Sequence, residues 1–234
     1  MFDNVKVFAD GADLAGIEAL TENPLIQGFT TNPTLMKAAG ITDYEAFSKE
    51  VIELIDGKPI SLEVFSDEFD DMKRQATKLS ALGENVYVKI PITNTRGESS
   101  QPLIKELSQQ GIKLNVTALM TLKQVEETTE SFADHATGCI SVFAGRIADT
   151  GVDPVPLMEA SLQVMSINSN LELIWASPRE ILNVIQADDI GCHIITVTHD
   201  LLKKLSIIGK NLDEYSLDTV KMFFNDAKNA AFKL

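Results

Sequence analysis

Asn85-Val86-Tyr87-Val88-Lys89-Ile90-Pro91 sets one lysine inside a run of β-branched and aromatic residues. Its apolar side chains fall on both parities, as they do in a strand covered on both faces. Seven more runs of this kind occur, at residues 5–9, 26–29, 60–65, 112–116, 139–143, 171–175 and 193–197. Stretches with helical spacing lie between them. Residues 12–20 place Leu14, Ile17 and Leu20 on one face, and residues 44–55 repeat Phe47, Val51, Ile52 and Ile55. The spacing predicts further helices over 69–82, 101–109, 122–132, 156–167 and 178–185, a short one over 200–205, and a last one over 217–231. Asp43, Ser66, Thr121 and Ser177 stand where N-caps are wanted, and Gly111 and Gly191 where helix turns back to strand. Strand–helix repeats spaced by roughly 20 to 35 residues predict an α/β chain closed as a (β/α)8 TIM barrel with a C-terminal helix. A doubly wound open sheet is the competitor, weakened because no Gly-x-Gly-x-x-Gly follows the first run.

The 234 residues show no low-complexity linker and no break in composition, so residues 1–234 read as a single domain. Hydrophobic residues at 44% and charged ones at 23% describe a chain able to bury a core. A net charge of −14 argues against a nucleic-acid or anionic-membrane partner, while a few converging basic residues can still hold an anionic substrate. Cys139 and Cys192 have no metal spacing and read as small core hydrophobes rather than a disulfide. No signal-peptide pattern opens the chain, and no apolar run approaches the roughly 20 residues of a membrane span. The expectation is a cytoplasmic location.

Polar residues collect where the strands end. They are Asp10, Thr30-Thr31-Asn32, Glu63, Lys89, Asn115 with Thr117, Ser141 leading to Arg146, Ser177 with Arg179, and Thr196 with Thr198. Several are two apart and so share a face. Inside a barrel they imply a polar chamber at the C-terminal mouth, where catalytic groups of that fold sit. From the pattern alone Lys89 has two readings: a nucleophilic amine made reactive by burial, or a lysine that snorkels from the strand end or pairs with Glu63. Asp10 and Glu63 are an acid/base pair around it or an ion pair. Arg146 and Arg179 clamp a phosphate or lie on the surface. Ser177-Pro178-Arg179, read as a helix start, would offer backbone N–H groups to an anion. Lys6 and Lys113 interrupt strands near the opposite face and read as solvated. Trp175 reads as chamber wall or core, and Phe143 as core. His135, His193 and His199 have no metal-ligand spacing, and no metal or other cofactor is expected.

Seven segments together resemble the transaldolases, in particular the short, compact class that also contains the fructose-6-phosphate aldolases. They are Phe8-Ala9-Asp10, residues 28–33, 61–64, 88–91, 111–117 and 140–147, and Trp175-Ala176-Ser177-Pro178-Arg179. The resemblance implies that Lys89 forms a Schiff base with the ketose C2 carbonyl. It implies that Asp10 handles the proton of the C4 hydroxyl, and that Glu63 and Thr117 order a catalytic water. It further implies that Asn32 and Asn115 hold dihydroxyacetone hydroxyls, that Thr30 and Ser141 line the chamber, and that Arg146, Ser177 and Arg179 form a phosphate site. Glu63 and Phe143 stand where the aldolases tend to have Gln and Tyr, which favours transfer. The implied reaction moves dihydroxyacetone from sedoheptulose 7-phosphate or fructose 6-phosphate to glyceraldehyde 3-phosphate or erythrose 4-phosphate, in the non-oxidative pentose phosphate pathway. An aldolase releasing free dihydroxyacetone is the alternative, and a non-catalytic sugar-phosphate-binding barrel a third. The resemblance also implies a homo-oligomer, a pentamer or decamer. The chain departs from the family pattern at Gly11 (usually Thr), at Val142 (usually Pro), in a longer loop over 94–100, and over 196–199.

Overall fold

A computed structural model describes residues 2–230 of the chain. Eight parallel strands follow one another around a closed barrel in chain order: β1 (Lys6–Asp10), β2 (Ile26–Thr30), β3 (Ile60–Glu63), β4 (Val86–Pro91), β5 (Leu114–Leu119), β6 (Gly138–Val142), β7 (Leu171–Trp175) and β8 (Ile194–Thr198). The first and last strands pair, Lys6 opposite Ile194 through Asp10 opposite Thr198, which rules out the open sheet. Both faces of each strand are covered, one by the packed interior and one by helices, and this accounts for apolar residues on both parities.

The strand period of two sorts the interior into layers. Phe8, Cys139, Ile174 and Ile194 are buried against Tyr87 in one apolar layer. Two residues further along the same strands stand Asp10, Ser141, Thr196 and Lys89. The barrel is therefore plugged by hydrophobes beneath a polar floor. Gly28 is part of the plug, because a Cβ there would lie 2.5 Å from the Phe8 ring. Gly28→Ala is expected to cost about 1–3 kcal/mol through overpacking. A urea unfolding midpoint equal to that of the parent would contradict the interlocked layer.

Helices join the strands much as the spacing predicts. Asp43 caps Tyr44–Leu54 through its side chain, and Thr121 with Gln124 forms a capping box at Leu122–Ser131. Two expected caps differ. Ser66 accepts from the Glu68 backbone N–H in the turn before Phe69–Ser80 instead of capping it. Ser177 precedes no helix, since the next one starts later, at Leu182–Asp189. Two short helices, Pro33–Ala38 and Ala144–Asp149, were too brief to show a period. Cys139 and Cys192 are buried free thiols, and burial pushes that of Cys192 up to about 12. Lys6 and Lys113 are held rather than simply solvated: Lys6 pairs with Glu172, and Lys113 donates to the Glu84 carbonyl at 2.7 Å.

The chain divides into two compact units, the barrel through Leu202 and a second unit from Lys203. The second contains the 3-10 turn Lys203–Ile207 and the helix Leu212–Asn229, capped by Asn211. Val220, Phe223 and Phe224 of that helix are exposed. The expected helix ran to Ala231, which lies outside the described residues. No described helix is long and apolar enough to cross a membrane.

Candidate active site

The C-terminal ends of the strands enclose a cavity of about 500 Å³. It is lined by the twelve residues to which the resemblance draws attention: Lys89, Asp10, Glu63, Thr117, Asn32, Thr30, Asn115, Ser141, Phe143, Arg146, Ser177 and Arg179. Strand register brings the central ones together. Lys89 in β4 stands opposite Glu63 in β3 and Asn115 in β5. Its side chain is 8% exposed, and Nζ lies 3.2 Å from the Glu63 carboxylate. The same Nζ donates to the Thr31 carbonyl at 2.9 Å. Lys89 thus pairs with Glu63 and also lines the cavity.

Asp10 sits at the end of β1. Thr30 Oγ1 donates to its carboxylate at 2.7 Å and also meets the Thr196 hydroxyl. Burial raises the Asp10 carboxyl above the usual range, against the opposing pull of Lys89, the Thr30 hydrogen bond and His199. A carboxyl so poised can hold or release a proton beside an amine.

Across the floor, Asn115 Nδ2 donates to Ser61 Oγ at 2.9 Å, and Ser141 Oγ donates to Asn115 Oδ1 at 2.7 Å. Asn115 is thereby fixed in one orientation. Asn32 has a second job, for its Oδ1 accepts the Leu35 N–H at 3.0 Å and caps Pro33–Ala38. Thr117 differs again. Its buried hydroxyl has no hydrogen-bond partner. It precedes Ala118, held at φ +69°, where the β5–β6 register slips. A bulge of this kind re-aims a side chain, here beside the cavity.

The fourth side of the cavity comes from two loops. Arg146 lies in Ala144–Asp149 with its guanidinium 5.7 Å from the Phe143 ring. Ser177 is held at φ +60°, strained for a residue with a Cβ. Gly145 lets the two loops touch, because a Cβ there would overlap the Ser177 carbonyl at 1.6 Å. Arg179 Nε donates to Asp149 Oδ1 at 3.0 Å. The expected anion site on backbone N–H groups does not form as read. Those of Arg179 and Glu180 both donate to Asn183 Oδ1, at 2.7 and 3.2 Å.

Thr196 and Thr198, the strand-end polar residues of β8, line the cavity as well. Tyr44 donates to the Glu63 carbonyl at 2.8 Å, a brace with no local sequence signal. Trp175 is wholly buried core. The departure at Gly11 has a physical partner: a Cβ on Gly11 or Gly16 would meet the His199 ring at 2.6 or 2.7 Å. Small residue and bulky ring are matched here. Among the described residues no group of His, Cys, Asp and Glu could hold a metal ion.

The family model described as transaldolase/fructose-6-phosphate aldolase matches residues 7–234. A probable transaldolase of Methanococcus maripaludis strain C7 is 35% identical over 202 residues, covering 86% of this chain and 89% of its own. One from Thermoplasma volcanium is 33% identical over 207 residues, covering 86% and 87%. One from Streptococcus pyogenes serotype M5 is 34% identical over 203 residues, covering 86% and 90%. Among solved structures, a putative lyase/mutase from Burkholderia cenocepacia superposes with a TM-score of 0.60 at 11% identity, covering 87% of this chain and 80% of that one. At that identity the likeness speaks for the barrel alone.

Proposed function

The chain belongs to the transaldolase/fructose-6-phosphate aldolase family, and from that premise we propose that it is a transaldolase working through a Schiff base on Lys89. The observation that carries this reading is the buried Lys89 Nζ, 3.2 Å from Glu63, in one cavity with Asp10.

The Lys89 amine adds to the C2 carbonyl of a ketose phosphate. Loss of water then leaves an iminium, with Glu63 and Thr117 positioned to handle the protons through a held water. Asp10 takes the proton of the C4 hydroxyl as the C3–C4 bond breaks. The electron pair flows into the iminium, giving a neutral enamine, and the aldose phosphate leaves. An acceptor aldehyde is attacked by the enamine, Asp10 returns its proton to the new hydroxyl, and water releases the product from Lys89. The fixed amide of Asn115 and the Nδ2 of Asn32 suit the hydroxyls of the three-carbon unit. Arg146, Ser177 and Arg179 suit the phosphate. Fructose 6-phosphate or sedoheptulose 7-phosphate as donor, and erythrose 4-phosphate or glyceraldehyde 3-phosphate as acceptor, would place the enzyme in the non-oxidative pentose phosphate pathway of the cytoplasm. The exposed Val220, Phe223 and Phe224 support a homo-oligomer, to be measured by light scattering.

Acceptor dependence tests the reaction. With fructose 6-phosphate alone, release of dihydroxyacetone is expected to be at least about tenfold slower than transfer once erythrose 4-phosphate is added, because Phe143 has no hydroxyl with which to deliver a proton to the enamine carbon. Equal rates with and without acceptor would make the protein an aldolase instead. Tight sugar-phosphate binding with no turnover of any donor would leave only a binding barrel.

A further inference from the structure

Arg179 and Asp149 come from different loops, thirty residues apart in the chain. Asp149 ends the helix Ala144–Asp149, one turn after Arg146. Its carboxylate accepts from Arg179 Nε at 3.0 Å through Oδ1, and from one Nη through Oδ2. That grips the side edge of the guanidinium. Arginine carries five N–H donors in a rigid planar fork, so fixing one edge fixes the direction of the other. The gripped group lines the cavity together with Arg146 and Ser177. The support beneath is stiff, because the Gly145 N–H meets the Ala176 carbonyl at 3.4 Å and no side chain separates the two loops.

Resting on the reading of Arg146, Ser177 and Arg179 as the phosphate end, we propose that Asp149 is a positioning residue. It holds Arg179 by its Nε edge and turns the remaining N–H groups toward a phosphorylated sugar. Half-exposed and ungripped, this long side chain would spread over many rotamers and lose direction. Asp149 also repels an anion, but water screens that repulsion at a half-exposed site. The two effects have opposite signs, so substitution separates them. Alanine removes both the grip and the charge. Asparagine removes the charge and keeps an oxygen for the Nε–H.

The experiment is calorimetric binding of sorbitol 6-phosphate, whose C2 hydroxyl cannot form an imine, to the full chain and its variants. Asp149→Ala is expected to weaken binding about tenfold, the scale of one charge-assisted hydrogen bond. Asp149→Asn is expected to recover most of that loss. In an Arg179→Ala background, Asp149→Ala is expected to add no further loss. Melting temperatures confirm that each variant is folded, and Asp149→Ser substitutes if the alanine variant is not. Tightening in both Ala and Asn variants would overturn the proposal in favour of plain repulsion. A loss that persists without Arg179 would overturn it as well. Binding needs no turnover, so a chain that binds with this pattern but transfers nothing would sink the transaldolase reading and leave Asp149's role standing.

Discussion

Incubation with fructose 6-phosphate and borohydride is expected to leave a reduced covalent adduct on Lys89, and Lys89→Ala to abolish it. Loss of turnover on the order of 10⁴-fold or more should accompany the substitution, the scale on which removing a covalent nucleophile acts. The expectation follows from position. Lys89 stands above the apolar layer of the barrel, next to a carboxylate, with its Nζ tethered to the Thr31 carbonyl. That tether fixes the amine where a carbonyl carbon can approach from the cavity. A purely structural lysine predicts another outcome. Breaking a buried ion pair by removing one partner costs about 3–5 kcal/mol of stability, yet activity in the surviving folded fraction would persist. Mass spectrometry of the trapped peptide, with urea unfolding of both proteins, separates the two. An adduct on any other lysine would sink the assignment.

How far this site could be read from sequence depends on what each residue's signal is made of. Strands of five or six residues, apolar on both parities, announce a buried parallel sheet, and their repetition announces closure. Counting by twos then places Asp10, Glu63, Lys89, Asn115 and Ser141 inside the barrel, because strand parity is a local property. What failed to show was non-local or strained. Nothing near Ala118 indicates that a residue with a Cβ will sit at φ +69°. Pro178 suggests a first helical turn after β7, yet the helix starts at Leu182 and Asn183 folds back to bind the Arg179 and Glu180 N–H groups. The pairing of Arg179 with Asp149 joins two loops, and each residue alone looks like a surface charge. Sequence thus gave the chamber's floor more readily than its rim, since the floor is set by strand period and the rim by loop contacts.

Asp10→Asn is expected to slow C3–C4 cleavage by about 10²–10⁴-fold, the usual worth of a general acid/base, while making the protein harder to unfold at neutral pH. The two effects share a cause. Burial holds the Asp10 carboxyl above its ordinary range even though Lys89, Thr30 and His199 pull it down. A carboxyl whose folded pKa is raised adds stability below its unfolded value, and that stability is lost as pH rises through the folded value. At pH 7, above its unfolded value, the buried Asp10 carboxyl is therefore a net cost of folding, and a neutral isostere removes it, a gain of about 1 kcal/mol on the usual scale of active-site replacements. Asparagine can still accept from Thr30 Oγ1, so the floor of the chamber keeps its shape. In the parent enzyme, kcat/KM for donor cleavage should fall as pH drops through the raised Asp10 pKa, because the C4 proton needs an ionised acceptor. That acid limb should be absent in Asp10→Asn. Melting temperatures at pH 3 and pH 7 check the stability half: the gain from the substitution should shrink at the lower pH, where Asp10 is largely protonated in both states. A variant less stable than the parent at pH 7 would show that the ionised carboxylate is a net support of the fold, and the acid/base reading would lose its electrostatic basis.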